Sequence, residues 1–209
     1  MQSVTGLGCH RLAFSVALPS CATLNVQASM LGARLFTPGK VNIVEYSLLL
    51  VFPALMIFAA MMDLFTMTIP NRISIVLVAI FLIAAPLTGM SWEQFFVHLG
   101  TGFGVLAIGI TLFAFGFVGG GDAKLLAAAS LWIGFNDLGQ YMFAVVLLGG
   151  LLSVLLLMYR GMLPPSWLLN QQWALRLHNK NEGIPYGLAL SGAALWIFPV
   201  TGWFTAVAV

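Results

Sequence analysis

Residues 119–135, GGGDAKLLAAASLWIGF, decide the topology of this chain. The apolar run within them, Leu125 to Phe135, has only 11 residues. Even a helix begun at Asp122 would reach only about 21 Å, against a hydrocarbon core of about 30 Å. The flanks are different. Leu99 to Val118 before it and Leu138 to Tyr159 after it are uncharged and long enough to span. So are Tyr46 to Met62, closed by Asp63, then Ile73 to Met90, and the segment from Ile184 to the C-terminus. Pro53 in the first of these is acceptable because membrane helices take up proline more readily than soluble ones. With 61% hydrophobic and 7% charged residues and a mean hydropathy of +1.03, the chain lies outside the composition of soluble globular domains. The expected fold is all-α: a polytopic membrane helix bundle of about six transmembrane helices over residues 43–209, behind an N-terminal tail, 1–42.

Loop charge decides whether the short fourth segment crosses, because cytoplasmic loops collect Lys and Arg. If it crosses, Arg72, Lys124, Arg160, Arg176 and Lys180 share one face, while the loops on the other face hold only Glu93 and Asp137. That is five basic residues against none. A re-entrant segment would put Arg160 to Lys180 outside. The expectation is therefore a short, locally mismatched spanning helix, with Asp63 and Asp122 both at the cytoplasmic edge of the membrane. The loop from Arg160 to Gly183, with Trp167 and Trp173, is expected to form a short amphipathic helix on the inner surface or a plain connector with aromatic anchors. His98 is expected at a helix end. The tail, with Arg11, Arg34 and Lys40 but no acid, reads as a poor signal-like segment, a marginal helix, or sequence upstream of a start at Met30. Arg34 and Lys40 would lie outside, against the charge rule.

A net charge of +2 spread over eight Lys and Arg leaves no basic stripe, which excludes nucleic acid as a partner. Cys9 and Cys21 have the spacing of neither a zinc pair nor a disulfide framework, and His10, His98 and His178 have no partner at ligand spacing. No metal and no cofactor are expected.

The chemistry concentrates in two acids. An ionisable side chain in a membrane helix costs about 2.5–3.5 kcal/mol on the insertion scale, so Asp63 in MMDLFTMTIPNR and Asp122 in GFVGGGDAKLLAA each ask for a reason. Asp122 fits a helix N-cap, and Asp63 could be merely interfacial. Both fall on the same side, however, in a chain with six acidic residues. Paired carboxylates at low dielectric cannot both ionise. They share a proton, one serving as general base for water and the other polarising a scissile carbonyl. Gly119, Gly120 and Gly121 would allow another backbone to approach closely, or form a simple turn. Lys124 reads as a snorkelling residue or one that faces the aspartates. Asn71 reads as an N-cap and Arg72 as a topology anchor, with substrate contact as a second role. Gly100, Gly102, Gly104 and Gly109 contain a small-xxx-small pair, Gly100 and Gly104, suited to helix packing. GTGFGVLAIG lacks the Lys-Ser/Thr and preceding strand of a phosphate loop.

Gly119-Gly120-Gly121-Asp122 resembles the G-x-G-D motif of intramembrane aspartic peptidases. Asp63 with Ile69-Pro70-Asn71 resembles the first-aspartate motif of the type IV prepilin peptidases, and Lys124-Leu125-Leu126 and Ile184-Pro185-Tyr186-Gly187 extend the likeness over about residues 44–200. The resemblance implies that Asp63 and Asp122 are the catalytic pair, with Gly119, Gly121, Lys124, Pro70, Asn71 and Arg72 as supporting motif residues. It implies a prepilin substrate cut at a short basic leader on the cytoplasmic side of a bacterial inner membrane, and pilus assembly machinery as a further partner. The long members carry two CxxC pairs and an N-methylation activity. This chain has no such pairs and looks like the short CpaA or TadV type that processes Flp-type prepilins, which implies cleavage without methyl transfer. The alternative is a proton-coupled membrane transporter or channel using the same carboxylates, and the last is a non-catalytic scaffold.

Overall fold

The computed structural model describes residues 43–162, 171–179 and 182–203. The tail 1–42 and, in the polar loop, Trp167 and Lys180 lie outside the described residues. Seven α-helices form among them: α1 (Ile43–Thr66), α2 (Asn71–Leu87), α3 (Trp92–Ala114), α4 (Gly120–Ile133), α5 (Phe135–Gly161), α6 (Gln172–His178) and α7 (Tyr186–Ile197), the last followed by a 3₁₀ turn, Phe198–Val200. α1, α3 and α5 are long and apolar enough to cross a membrane, and α2 and α7 are shorter apolar helices. The result is a helical membrane bundle. Large apolar side chains such as Phe103, Phe143, Val146 and Leu157 are exposed on its outside, the arrangement expected when lipid is the surrounding solvent.

The short fourth helix is the centre of the bundle. α4 packs against α2, α3, α5 and α7, and most extensively against α3. Its 14 residues suffice because protein, more than lipid, surrounds them: Ala123, Leu125, Ala127 to Ala129 and Ser130 to Ile133 are all buried. The alanines keep its diameter small, so neighbouring backbones come close. On α3 the facing glycines are Gly102 and Gly109, where an added Cβ would lie 3.1 Å from Leu131 Cβ and 3.1 Å from Ala123 Cβ. The pair singled out by spacing, Gly100 and Gly104, has nothing within 4 Å of its Cβ positions. Residues seven apart return to one helix face after two turns, and that face is the one turned to α4.

Several boundaries differ from the expected ones, each for a local reason. α1 continues one turn past Asp63 to Thr66 and ends where Met67 adopts a left-handed φ of 54°, its N–H donating to Asp63 O at 2.9 Å. α2 stops at Leu87 because Gly89 turns the chain with φ 72°. α3 starts at Trp92 instead of Leu99, since Ser91 accepts a hydrogen bond from Gln94 N–H. That start brings Glu93 into the first turn, where a negative charge suits the helix dipole, and places His98 inside the helix, not at its end. His98 Nδ1 pairs with Leu131 O at 2.8 Å. α4 and α5 are separated by Gly134 alone, at φ 80°. α7 has 12 residues and does not run to the C-terminus. Pro199 lies in the 3₁₀ turn after it, and a proline cannot donate the next helical bond. α6 forms inside the polar loop, burying Ala174 and Leu177 while Leu175 and Arg176 stay exposed.

Candidate active site

One end of the bundle gathers the C-terminal turn of α1 and the N-terminal turns of α2, α4 and α7. Asp63, in the last turn of α1, is buried at 5% exposure. The backbone N–H groups of Gly187 and Leu188, in the first turn of α7, face its carboxylate, where the partial positive charge of a helix N-terminus favours an anion. Its Oδ2 is buried and has no hydrogen-bond partner among the described residues. The fit against α7 is close: a Cβ on Gly187 would lie 2.8 Å from Asp63 Oδ2 and 2.9 Å from its Cγ. Only glycine at 187 leaves that carboxyl where it is.

Asp122 is the third residue of α4, half-buried. It is not the N-cap; Gly119, in extended backbone, holds that position without a side-chain cap bond. The carboxyl of Asp122 folds back over Gly119, whose added Cβ would lie 3.0 Å from Oδ2. Asp63 and Asp122 are near enough to interact electrostatically. Gly121 faces Ile69, with a Cβ position 3.3 Å from Ile69 Cβ, and Gly120 faces the ring of Phe113.

The supporting residues divide. Pro70, not Asn71, is the N-cap of α2. Asn71 uses its side chain across the bundle, Oδ1 accepting from Lys124 Nζ at 3.0 Å. Lys124 is exposed, and this bond ties α4 to α2. Arg72 is exposed at the start of α2. The basic residues nevertheless collect at this end. Arg176 Nη1 reaches Phe65 O at 3.5 Å, and Arg160 donates to Leu177, Glu182 and Gly183 carbonyls at 2.8–2.9 Å. Trp173 of α6 meets Phe65 edge-on, so α6 lies beside the end of α1. Glu93 and Asp137 line a single cavity of 650 Å³ elsewhere.

An apolar cavity of 530 Å³ lies between α2, α3 and α4, lined by Ser74, Val78, Leu82, Phe103 and Ala127, with Asn71 and Lys124 also on its wall. Neither aspartate lines it. No cluster of three His, Cys, Asp or Glu gathers among the described residues. Sequence reasoning did not single out Ile69 as part of the site, and it read Gly187 as a packing or bending residue first and a site residue only second. The only available signal was their place in the Ile69-Pro70-Asn71 and Ile184-Pro185-Tyr186-Gly187 stretches.

A family model described as the type IV leader peptidase family matches residues 50–157, a span that includes both aspartates. A prepilin leader peptidase/N-methyltransferase of Bacillus subtilis (strain 168) is 40% identical over 103 residues, covering 48% of this chain and 41% of the relative. The chain thus spans about two fifths of that curated relative's length. No solved structure matches.

Proposed function

Because the chain belongs to the type IV leader peptidase family, we propose that it is an intramembrane aspartic endopeptidase that removes the short basic leader of a prepilin, with Asp63 and Asp122 as its catalytic pair. The observation that carries this reading is that two electrostatically interacting carboxyl groups lie at one end of the bundle, each packed against a glycine at a helix N-terminus. The ionised carboxylate takes a proton from the attacking water, and the other, which holds the shared proton as a carboxylic acid, donates a hydrogen bond to the scissile carbonyl oxygen. The two titrate as a unit, so the roles belong to the pair. Asp63 Oδ2, buried without a protein hydrogen-bond partner among the described residues, is an acceptor not committed to another protein group. The glycines at 119–121 support an extended peptide passing close to the backbone.

Arg72, Lys124, Arg160 and Arg176 lie on loops or helix ends at the aspartate end, which supports a cytoplasmic orientation of the site in the inner membrane. The absence of any CxxC pair from the chain supports cleavage without N-methylation and a Flp-type prepilin as substrate. Co-expression with a Flp-type prepilin tests this reading. The pilin mass is expected to fall by the leader alone, and Asp63→Asn and Asp122→Asn are each expected to leave the precursor intact while remaining in the membrane fraction. Cleavage by either variant at the parental rate overturns the assignment, and an added methyl mass on the product overturns its finer part.

A further inference from the structure

Between Gly121 and Gly187, the glycines that adjoin the two aspartates, lies a side chain with no chemistry of its own. Ile69 sits in the four-residue link, 67–70, that joins α1 to α2, and it is half-buried. Its two ends rest on two different helices. A Cβ on Gly121 would be 3.3 Å from Ile69 Cβ, and a Cβ on Gly187 would be 2.6 Å from Ile69 Cδ1. Gly121 and Gly187 are each the second residue of their helix, α4 and α7. Gly121 directly precedes Asp122, and Gly187 is the residue against which the Asp63 carboxyl packs.

We infer that Ile69 is a positioning residue, a rigid spacer held between the glycines of α4 and α7 that sets the separation of the two carboxylates. The inference rests on the proposed catalytic pair. The length from Cβ to Cδ1 is what separates the two contacts, and a β-branched side chain suits the task because its χ1 is stiff. The backbone that presents it is pinned on both sides. Met67 N–H is bonded to Asp63 O at 2.9 Å, Thr66 Oγ1 to Thr68 O at 3.0 Å, and Pro70 caps α2 with its φ set by the ring. The link therefore cannot simply slide to refill a shortened side chain. Removing Cγ and Cδ atoms lets the first turns of α4 and α7 drift, and each carries its aspartate's support with it. A 1 Å error in placing reacting groups lowers the rate on the order of 10²-fold. The last of these contacts, at Gly187, lies beyond the segment 50–157 that the family model covers.

The test is a graded series assayed on the membrane-embedded enzyme with a prepilin. Ile69→Ala is expected to lower kcat by about 30-fold or more with KM within about threefold, because placement of the carboxylates is a transition-state property while substrate binding is not. Ile69→Val keeps the branch and the Gly121 contact but loses Cδ1, and should retain about a third of the parental kcat. A double-mutant cycle with Gly187→Ala, read both in kcat and in denaturation temperature, provides the readout that a merely structural role would not move: coupling in kcat that exceeds the coupling in stability. Gly187→Ala alone pushes on both Ile69 Cδ1 and Asp63, and Ile69→Val should recover part of its lost kcat. Thermal denaturation of every variant in detergent separates misfolding from misplacement, and Val stands in where Ala does not fold. Parental kcat in Ile69→Ala, or strict additivity in the cycle, overturns the inference. If the two Asp→Asn variants still cleave, the proposed function fails instead, so the two failures are distinguishable.

Discussion

The two ends of α4 are packed by opposite means. At its N-terminus, next to Asp122, close approach is achieved by leaving side chains out. Gly119 lies under the Asp122 carboxyl, Gly121 against Ile69, and Gly187 of α7 against Asp63. At its C-terminus space is filled with rings. Trp132 is fully buried, with ring centroids 5.1 Å from Phe52, 5.8 Å from Phe81 and 5.2 Å from Trp203. Its Nε1 donates to Leu77 O at 2.9 Å, and Trp203 Nε1 donates to Trp132 O at 2.6 Å. The far end has the large apolar burial that stabilises a bundle, while the near end holds a buried carboxylate oxygen without a partner, a destabilising feature. On the proposed reading, rings that supply stability away from the aspartates leave the glycine end free to be built for placement.

This contrast can be broken from either side. The largest effect expected is on rate at the glycine end. Asp63→Asn should lower leader cleavage by at least about 10³-fold while the denaturation temperature stays level or rises, because a neutral amide replaces a buried carboxylate. A fall in that temperature would mean the carboxyl is part of the framework. At the ring end the order reverses. Trp132→Ala should destabilise by about 3–5 kcal/mol, seen as early thermal unfolding in detergent, yet the fraction that remains folded should cleave at close to the parental rate. Loss of rate in folded protein would show that the two ends are coupled.

Smaller effects sharpen the same division. Gly134 combines φ 80° with a Cβ position 2.5 Å from His98 Cε1, so Gly134→Ala must strain the link between α4 and α5. A stability loss of about 1–2 kcal/mol is expected from the backbone alone, with kcat little changed. Lys124→Met removes the bond to Asn71 Oδ1, an exposed contact of the kind that contributes roughly 1 kcal/mol or less. Cleavage should change by less than about threefold. A drop of 30-fold or more would move Lys124 from tying α4 to α2 into contact with substrate.

Much of this was legible in the sequence, and the residues show where legibility stops. Uncharged apolar runs of about span length located five of the helices, because lipid requires each backbone to satisfy its own hydrogen bonds, and loop charge marked the short fourth one. The two aspartates stood out because a carboxylate is costly in such runs. Cap assignments failed at Asn71 and Asp122, where Pro70 and Gly119, both in extended backbone, take the N-cap. A one-residue or three-residue shift in helix start is invisible to composition. The glycine pair on α3 failed for a related reason: spacing identifies a face but not the neighbour it meets, and Gly102 with Gly109, not Gly100 with Gly104, meets α4.

By itself, then, the sequence determined a helical membrane bundle and two acids needing a purpose, since hydropathy and charge are local properties summed along the chain. Only the tertiary structure decided that the shortest apolar segment is the centre of the bundle, that Gly187, 124 residues after Asp63, is what that carboxyl rests on, and that Ile69 stands between the two sites of support. Those are contacts between elements remote in sequence. They follow from which helix faces meet, and no period or motif within one segment encodes its partner.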